Sequence, residues 1–460
     1  MNAQDLCWRH LRTARWFGGK GRSARLRGLT PLPWLVPPGG QVAVQAVVAD
    51  VGYDDGDGEF YQLLLAYGPA VVEPWGQVEV PGHGALPVGD ATADPQARLL
   101  LWEAVRAAPR LRDEVGEVDK VGEVGELTVT VLDSLPAVDS AHRFAGEQSN
   151  TSLLYGNAYL LKLFRRLEPG RNLDIEVHRV LAERGSTDVA RLDGWVSATW
   201  PAGRTDLTTG TADLTMAADL AMVVEQLPAA TDGWQAALDS LRAGTGFADR
   251  AGELGRTLAR VHADLADAFG TDVVDGGALA ASMGDQLDRY ATAAPDLLPH
   301  VAGLRRCFDR LAAGAVGVQR IHGDCHLGQT MITPNGWKVI DFEGEPAKGL
   351  AERARPDSPW RDVAGVLRSF SYAVAQPDLD EVPDLDADAR RRWLTDCRNA
   401  FLAGYTGGDG PVDATGPLDA YEADRAAYEV VYETRNRPTW VPIPLADAAR
   451  LAGTPTQEEP

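Results

Sequence analysis

The alternation of apolar and polar positions predicts a front half rich in strands and a back half rich in helices. Residues 6–16 carry apolar side chains at amphipathic helical spacing, and the pattern stops at Gly18 and Gly19. After a proline-rich stretch at 31–38, the run QVAVQAVVADVGYDDGDGEFYQLLLAYG predicts two strands joined by an acidic, glycine-containing turn at 54–58. A helix is expected at about 96–106, where Pro95 after Asp94 suits a first turn. The valine-rich region 114–131 predicts further strands, so residues 1–135 read as a separate α+β unit.

A second β-rich segment, 136–230, follows. The apolar runs 153–155 and 158–164 flank Gly156-Asn157, a two-residue hairpin signal. Residues 172–184 have helical spacing, and 218–227 contain another strand. From 231 to 460 the periodicity is mostly helical. Leu254, Leu258, Val261, Leu265 and Phe269 recur every three or four residues, and short strands are expected at 318–321 and 337–340.

Charge narrows the partners. The 460 residues hold 44 Lys+Arg against 66 Asp+Glu, a formal charge of −22, so the chain would repel a nucleic-acid backbone. No apolar run is long enough to span a bilayer, and the polar, basic N-terminus lacks the apolar core of a secretory signal. The cysteines, Cys7, Cys307, Cys325 and Cys397, are dispersed without a CxxC pair, as in a reduced cytoplasmic protein. Without a repeat or a long apolar helix, the expectation is a monomer.

The richest stretch for chemistry is RIHGDCHLGQTMITPNGWKVIDFEGEP, residues 320–346. It gathers His322, Asp324, His326, Gln329, Asp341, Glu343 and Glu345 around what reads as one strand–loop–strand hairpin. A surface loop of turn-capping residues is the plain alternative, but so many acids and histidines beside apolar strands suit a task better. Phosphoryl transfer needs a carboxylate at the acceptor hydroxyl, plus oxygen ligands that hold Mg²⁺ against nucleotide phosphates. Asp324 can meet the acceptor, while the Gln329 amide and Asp341 carboxylate offer oxygens that suit a hard ion. Zinc at His322-x₃-His326 is a poor alternative, because Gly323 breaks a helix there and no cysteine completes a site. His322 reads instead as a donor that fixes the loop.

Upstream, Lys162 lies mid-strand among apolar residues, where an ammonium calls for a phosphate and a carboxylate partner. Glu176 on the following helix is the expected partner, and a lysine facing solvent is the alternative. The turn GEQSNTS, 146–152, has the small polar residues of a phosphate-covering loop without being glycine-rich.

Together these residues resemble the kinase-like fold of aminoglycoside phosphotransferases and choline kinases. HGDxxxxQ followed by IDFE is similar to their HGDxxxxN followed by IDxE, with Gln329 in the asparagine's place, and Asp362 matches their Asp behind the catalytic loop. A closer resemblance, to actinobacterial maltokinases, covers nearly the whole chain. It includes RWFGGKGR, EQSNTS, LLKLFRR, HGDCHLGQ, DFEGEP, RPDSPWRDVAGVLRSF and YEVVYETRNRPTWVPIPL. The resemblance implies an α+β, bilobal protein-kinase-like fold with an extra N-terminal cap subdomain. In that scheme 1–135 form cap and intermediate subdomains, 136–230 the nucleotide-binding lobe, and 231–460 the helical lobe.

It further implies ATP- and Mg²⁺-dependent phosphorylation of a sugar hydroxyl. Asp324 would be the catalytic base, and Gln329 and Asp341 the Mg²⁺ ligands. ATP would meet Lys162, Glu176, Ser149, Asn150, and the linker at 223–227 that carries Glu225 and Leu227. The sugar would be bordered by Asp324, His322 and Glu343 with Glu429, Tyr432, Glu433, Arg435 and Trp440. Cys325 and Ser371 depart from maltokinases, and the related glucosamine kinases share the scaffold, so glucosamine is the favoured acceptor and maltose the alternative. Glu429 and Glu433, four residues apart on one helix face, could meet the sugar's ammonium. They could equally dock the C-terminal helix through salt bridges.

Overall fold

The computed structural model describes residues 2–108, 125–144, 146, 149–202, 214–345, 348–376, 385–408 and 417–453. Contacts group the chain into two units, Met1–His178 with Ala190–Pro228, and Arg179–Val189 with Ala229–Pro460. The division expected at 1–135 falls in the first unit, and so does most of 136–230, except 179–189 and 229–230, which group with the second.

That unit holds two antiparallel sheets. α1 (Ala3–Thr13) precedes β1 (Ala24–Val36), β2 (Ala43–Tyr53), β3 (Gly58–Tyr67), β4 (Gly76–Val80) and β5 (Gly84–Asp90), which pair in the order β1-β2-β3-β5-β4. The 54–57 turn closes β2 onto β3 with Gly52 opposite Gly58, as the sequence predicts. β2 is buried on both faces, which is why it reads as a continuous apolar run. Val44, Ala46 and Val48 enter one core, while Ala43, Val47, Ala49 and Val51 enter another with Leu6 and Leu11 of α1.

β1 was not among the strands expected from the sequence, and it takes in most of the proline-rich stretch at 31–38. Pro31 and Pro33 are tolerated on an edge strand whose register slips between Pro31 and Trp34. Gln45, opposite the slip, donates to the Leu32 carbonyl at 2.8 Å and so satisfies a buried acceptor that the ladder misses.

α2 (Pro95–Arg106), capped by Asp94, leads to the second sheet. Its strands are β6 (Glu126–Val131), β7 (Ala141–Arg143), β8 (Thr151–Tyr155), β9 (Tyr159–Leu163), β11 (Leu192–Ala202) and β12 (Leu214–Glu225), in the order β6-β11-β12-β9-β8-β7. β10 (Arg166–Leu167) joins β3 of the first sheet instead. The β8–β9 hairpin turns at Gly156, whose φ of 57° suits glycine, although the loop spans three residues rather than two. α3 (Leu173–Glu183) follows β10. Of the strands expected at 114–131, residues 114–124 lie outside the described residues.

In the second unit, the segment 185–189 is anchored by Lys338 Nζ, which donates to the Thr187 and Val189 carbonyls at 2.6 and 3.1 Å, and by Arg260, which grips Asp188. β13 (Thr231–Asp232), α4 (Gly233–Arg242), α5 (Ala248–Phe269), β14 (Thr271–Asp275), α6 (Gly276–Ala293), α7 (Val301–Asp309) and β15 (Ala315–Gln319) come first. β16 (Thr330–Thr333), β17 (Gly336–Val339), α8 (Leu350–Arg353), α9 (Trp360–Val374), α10 (Ala387–Thr406), α11 (Pro417–Asn436) and α12 (Pro442–Ala452) complete it. The expected single hairpin does not form. β15 pairs with β14, and β17 pairs with β16, which extends to β13. β14 escapes the sequence because all five of its residues are exposed, so no burial pattern marks it. One apolar core links α4, α5, α6, α7, α9, α10, α11 and α12. Among the described residues no helix is long and apolar enough to cross a membrane.

Candidate active site

The loop from β15 to β16 carries His322, Asp324 and Gln329, and its shape is fixed by buried hydrogen bonds. Gly323 sits at φ 84°, a left-handed turn that glycine adopts without strain. Asp362, in the first turn of α9, accepts from the His322 and Gly323 backbone N–H groups at 2.8 and 2.9 Å. Its carboxylate also meets His262 Nε2 at 3.0 Å, and His262 Nδ1 meets the Tyr405 hydroxyl at 2.8 Å. Burial pushes the Asp362 carboxyl up, but the bond from His262 and the nearby imidazoles prevail and hold it below the usual carboxylate range.

His322 is spent on the same task. Its Nε2 donates to the Ile340 carbonyl at 2.9 Å, and its Nδ1 accepts from the Asp324 N–H at 3.2 Å. These partners fix a neutral Nε2–H ring. The expectation that His322 also borders the sugar is corrected here, because the residue is 2% exposed and both nitrogens face backbone. Its role as a loop-fixing donor stands. α9 then approaches the loop so closely that a Cβ on Gly365 would lie 2.2 Å from the Cys325 carbonyl. Ser369 Oγ accepts from the Leu327 N–H at 3.2 Å.

Asp324 is partly exposed and is held by Arg425 of α11, whose Nη2 lies 3.3 Å from its Oδ1. Arg425 Nε reaches Glu429 at 3.2 Å, and Glu429 Oε2 accepts from Arg368 Nε and Nη2 at 2.9 and 2.7 Å. Arg368 Nη1 in turn meets Asp447 of α12. Five alternating charges therefore run from the loop to the last helix. Sequence reasoning missed Arg425 and Arg368, although Arg425 stands one turn before Glu429 on the same helix face.

The other C-terminal residues are placed as follows. Glu429 and Glu433 do share a face, but Glu433 is 1% exposed and its oxygens go to Arg437, at 2.6 and 2.8 Å, and the Tyr372 hydroxyl, at 3.0 Å. Trp440 stacks against Arg437 at 4.4 Å and tilts towards Tyr372. Tyr432 and Arg435 are exposed. The salt-bridge use of these acids, left open by the sequence, is the one present.

Across the β16–β17 hairpin, Gln329 and Asp341 come together, with Gln329 Nε2 3.4 Å from Asp341 Oδ2. Their backbones are registered by the Ile340 N–H, which donates to the Gln329 carbonyl at 3.0 Å. Asp341 adopts φ 67°, a left-handed conformation uncommon outside glycine and most tolerated by Asp and Asn. A Glu343 carboxylate oxygen lies within 4.8 Å of one from Asp341. The two carboxylates offer the hard oxygen donors that Mg²⁺ takes, whereas the Gln329 amide presents its nitrogen to Asp341.

In the first unit, Lys162 of β9 does meet a carboxylate, that of Asp174 at 2.8 Å, an acid two residues before the Glu176 named from the sequence. Asp174 begins α3, where Asn172 Oδ1 accepts its N–H at 2.8 Å. His178, one turn later, reaches its other oxygen at 3.0 Å. Burial raises the Asp174 carboxyl, yet Lys162 and His178 outweigh it and hold the group well below the usual range. In the turn at 146–152, Ser149 is exposed and Asn150 Oδ1 accepts the Arg165 N–H at 3.2 Å, while residues 147 and 148 lie outside the described residues. The Glu225 N–H donates to the Arg191 carbonyl at 2.8 Å, and Leu227 packs against the core.

A braced Asp-bearing loop, an oxygen-donor hairpin and a lysine–carboxylate pair define a phosphoryl-transfer enzyme of kinase-like build. The model of the phosphotransferase enzyme family matches residues 141–398, more than half of the chain, and the chain belongs to that family. The maltokinase N-terminal cap domain model matches residues 10–107, so the family's fold is preceded by a cap. A glucosamine kinase of Streptacidiphilus jiangxiensis is 28% identical over 437 residues, covering 83% of this chain and 95% of that protein. One from Mycolicibacterium smegmatis is 26% identical over 380 residues, covering 74% and 91%. The solved structure of a glucosamine kinase in complex with glucosamine, ADP and inorganic phosphate superposes with a TM-score of 0.64 at 21% identity, covering 98% of this chain and 99% of that one.

Proposed function

We propose that the protein is an ATP- and Mg²⁺-dependent kinase that converts D-glucosamine to D-glucosamine 6-phosphate. The observation that carries the reading is Asp324, partly exposed at the tip of a braced loop and steered by Arg425. The two relatives named as glucosamine kinases supply the acceptor. In this reading Asp324 orients the 6-hydroxyl and takes its proton as the oxygen bonds to the γ-phosphorus, and the bond to ADP breaks. Gln329 and Asp341 would hold Mg²⁺, which offsets phosphate charge. Lys162, kept in place by Asp174, neutralises phosphate oxygens. Ser149 and Asn150 cover the phosphates, and the backbone around Glu225 and Leu227 receives the base. Glu343 supports the metal or sugar side, and Tyr432, Arg435 and Trp440 complete the acceptor surroundings.

The cap-domain match favours a second reading, maltose phosphorylated at its anomeric 1-hydroxyl. An ADP-release assay with glucosamine, glucose, N-acetylglucosamine and maltose separates them. Glucosamine should dominate, and turnover dominated by maltose overturns the acceptor assignment.

A further inference from the structure

We propose that the N-terminal cap helps set the affinity for ATP, because its 15–22 loop positions the segment that covers the phosphates in the proposed function. The inference rests on that reading of residues 146 and 149–152, and Arg15 and Trp16 are positioning residues in it.

The block RWFGGKGR forms a tightly held loop after α1. The Gly18 N–H donates to the Tyr61 hydroxyl at 3.1 Å, and the Tyr61 and Tyr53 hydroxyls both donate to Glu59. A Cβ on Gly19 would lie 2.6 Å from the Phe17 ring and 2.7 Å from the Tyr53 ring, so a side chain there would displace one of them. Held this way, the loop reaches the covering segment by two routes. Arg15 Nη2 donates to the Gly146 carbonyl at 2.8 Å, across 131 positions of chain. Trp16 lies against the Arg165 guanidinium at 4.8 Å. Arg165 is 1% exposed, and it holds the far side of the segment: its backbone N–H donates to Asn150 Oδ1 at 3.2 Å and its Nε to Thr151 Oγ1 at 2.8 Å. Its Nη1 and Nη2 reach the Gln62 carbonyl and the Thr92 hydroxyl, each at 3.3 Å, which ties β8 to the first sheet. A segment ordered beforehand loses less conformational freedom when it closes on a ligand, so these contacts raise affinity without touching the nucleotide. Arg15 also brings a permanent positive charge to that segment.

Calorimetric titration of the full chain with ATP and Mg²⁺, without acceptor, tests the inference. Arg15→Ala should raise Kd about five- to tenfold, the effect of one charge-assisted hydrogen bond. Arg15→Lys, which keeps a donor and the charge, should raise it less than about twofold. The side chain is exposed, so both variants should keep Tm within about 2 °C of the wild type. Ser149→Asp, which adds a negative charge to the covering segment, should weaken ATP binding by repulsion. If Ser149→Asp binds ATP as tightly as the wild type, the covering role falls and the inference falls with it. If Ser149→Asp binds weakly while Arg15→Ala keeps wild-type affinity, or if Arg15→Lys loses as much as Arg15→Ala, the inference alone is overturned.

Discussion

Replacing Arg368 by methionine would strand two carboxylates inside the second unit. The arginine side chain is 2% exposed, and Glu429 and Asp447 are 12% and 13% exposed, so solvent does little to screen the pairs. Removing one partner of a buried ion pair costs about 3–5 kcal/mol, mostly from the charge left behind. Each acid retains another arginine, Arg425 for Glu429 at 3.2 Å and the half-exposed Arg450 for Asp447 at 3.2 Å. The loss should therefore sit near the lower end, about 3 kcal/mol. For a unit of this size that corresponds to a drop of roughly 6–12 °C in Tm. Scanning calorimetry of the full chain reads it directly. The double variant Arg368→Met with Asp447→Leu should lose less than the single one, because one stranded charge is gone. A shift below about 2 °C, or a double variant as damaged as the single, would refute the charge argument and point to packing alone.

Further outcomes follow from the site. Asp324→Asn should leave nucleotide binding intact in a filter or calorimetric assay and cut turnover at least about a hundredfold; retention of more than about a tenth of activity counts against Asp324 as base. Gly365→Ala should cost about 1–3 kcal/mol in urea unfolding, because its methyl would press on the Cys325 carbonyl at 2.2 Å. All four cysteines are buried, and burial pushes the Cys7 thiol up to about 12 and the Cys325 thiol well above its ordinary value, so native protein should resist iodoacetamide at pH 8 and react fully only in denaturant. Asp174 and Asp362 titrate lower folded than unfolded, so the unfolded chain gains their protons first on acidification. Their stabilisation is present above about pH 4 and lost below it, and Asp362→Asn should remove part of that acid-side fall in Tm.

Elements that bury one consistent face were legible in the sequence, and partners that depend on tertiary contact were not. The β2–β3 hairpin, α2 with its Asp94 cap and the amphipathic α5 follow from local pattern alone. β1 was hidden by its prolines, whose acceptability depends on an edge position that no local pattern reveals. β14 was hidden by its exposure. In the candidate site, Asp324 and Gln329 stand out by their spacing within one loop, and Asp341 by its place just after the next hairpin. The Asp174 contact of Lys162 did not, because Asp174 and Glu176 are both acids in the first turn of α3 and local spacing favours neither. Arg425 lies 101 residues from Asp324, a separation across which periodicity carries no information.

The acids of the C-terminal helix α11 are already engaged within the second unit. Along α11, Glu422 is held by Arg398 and Arg450, Glu429 by Arg368 and Arg425, and Glu433 by Arg437. Each acid is thus matched by at least one guanidinium, and an ammonium arriving at any of them would have to displace a charge-assisted bond already made in a buried setting. Asp324 differs, because its side chain is 20% exposed and its contact with the Arg425 guanidinium, at 3.3 Å, is longer than most of those on α11. A cationic sugar would therefore gain most near Asp324 and the Asp341–Glu343 pair, where carboxylate surface remains in reach of solvent. On this reasoning α11 discriminates among sugars chiefly by where it places Arg425, so that Glu429→Gln should disturb stability before it disturbs the choice between glucosamine and a neutral hexose.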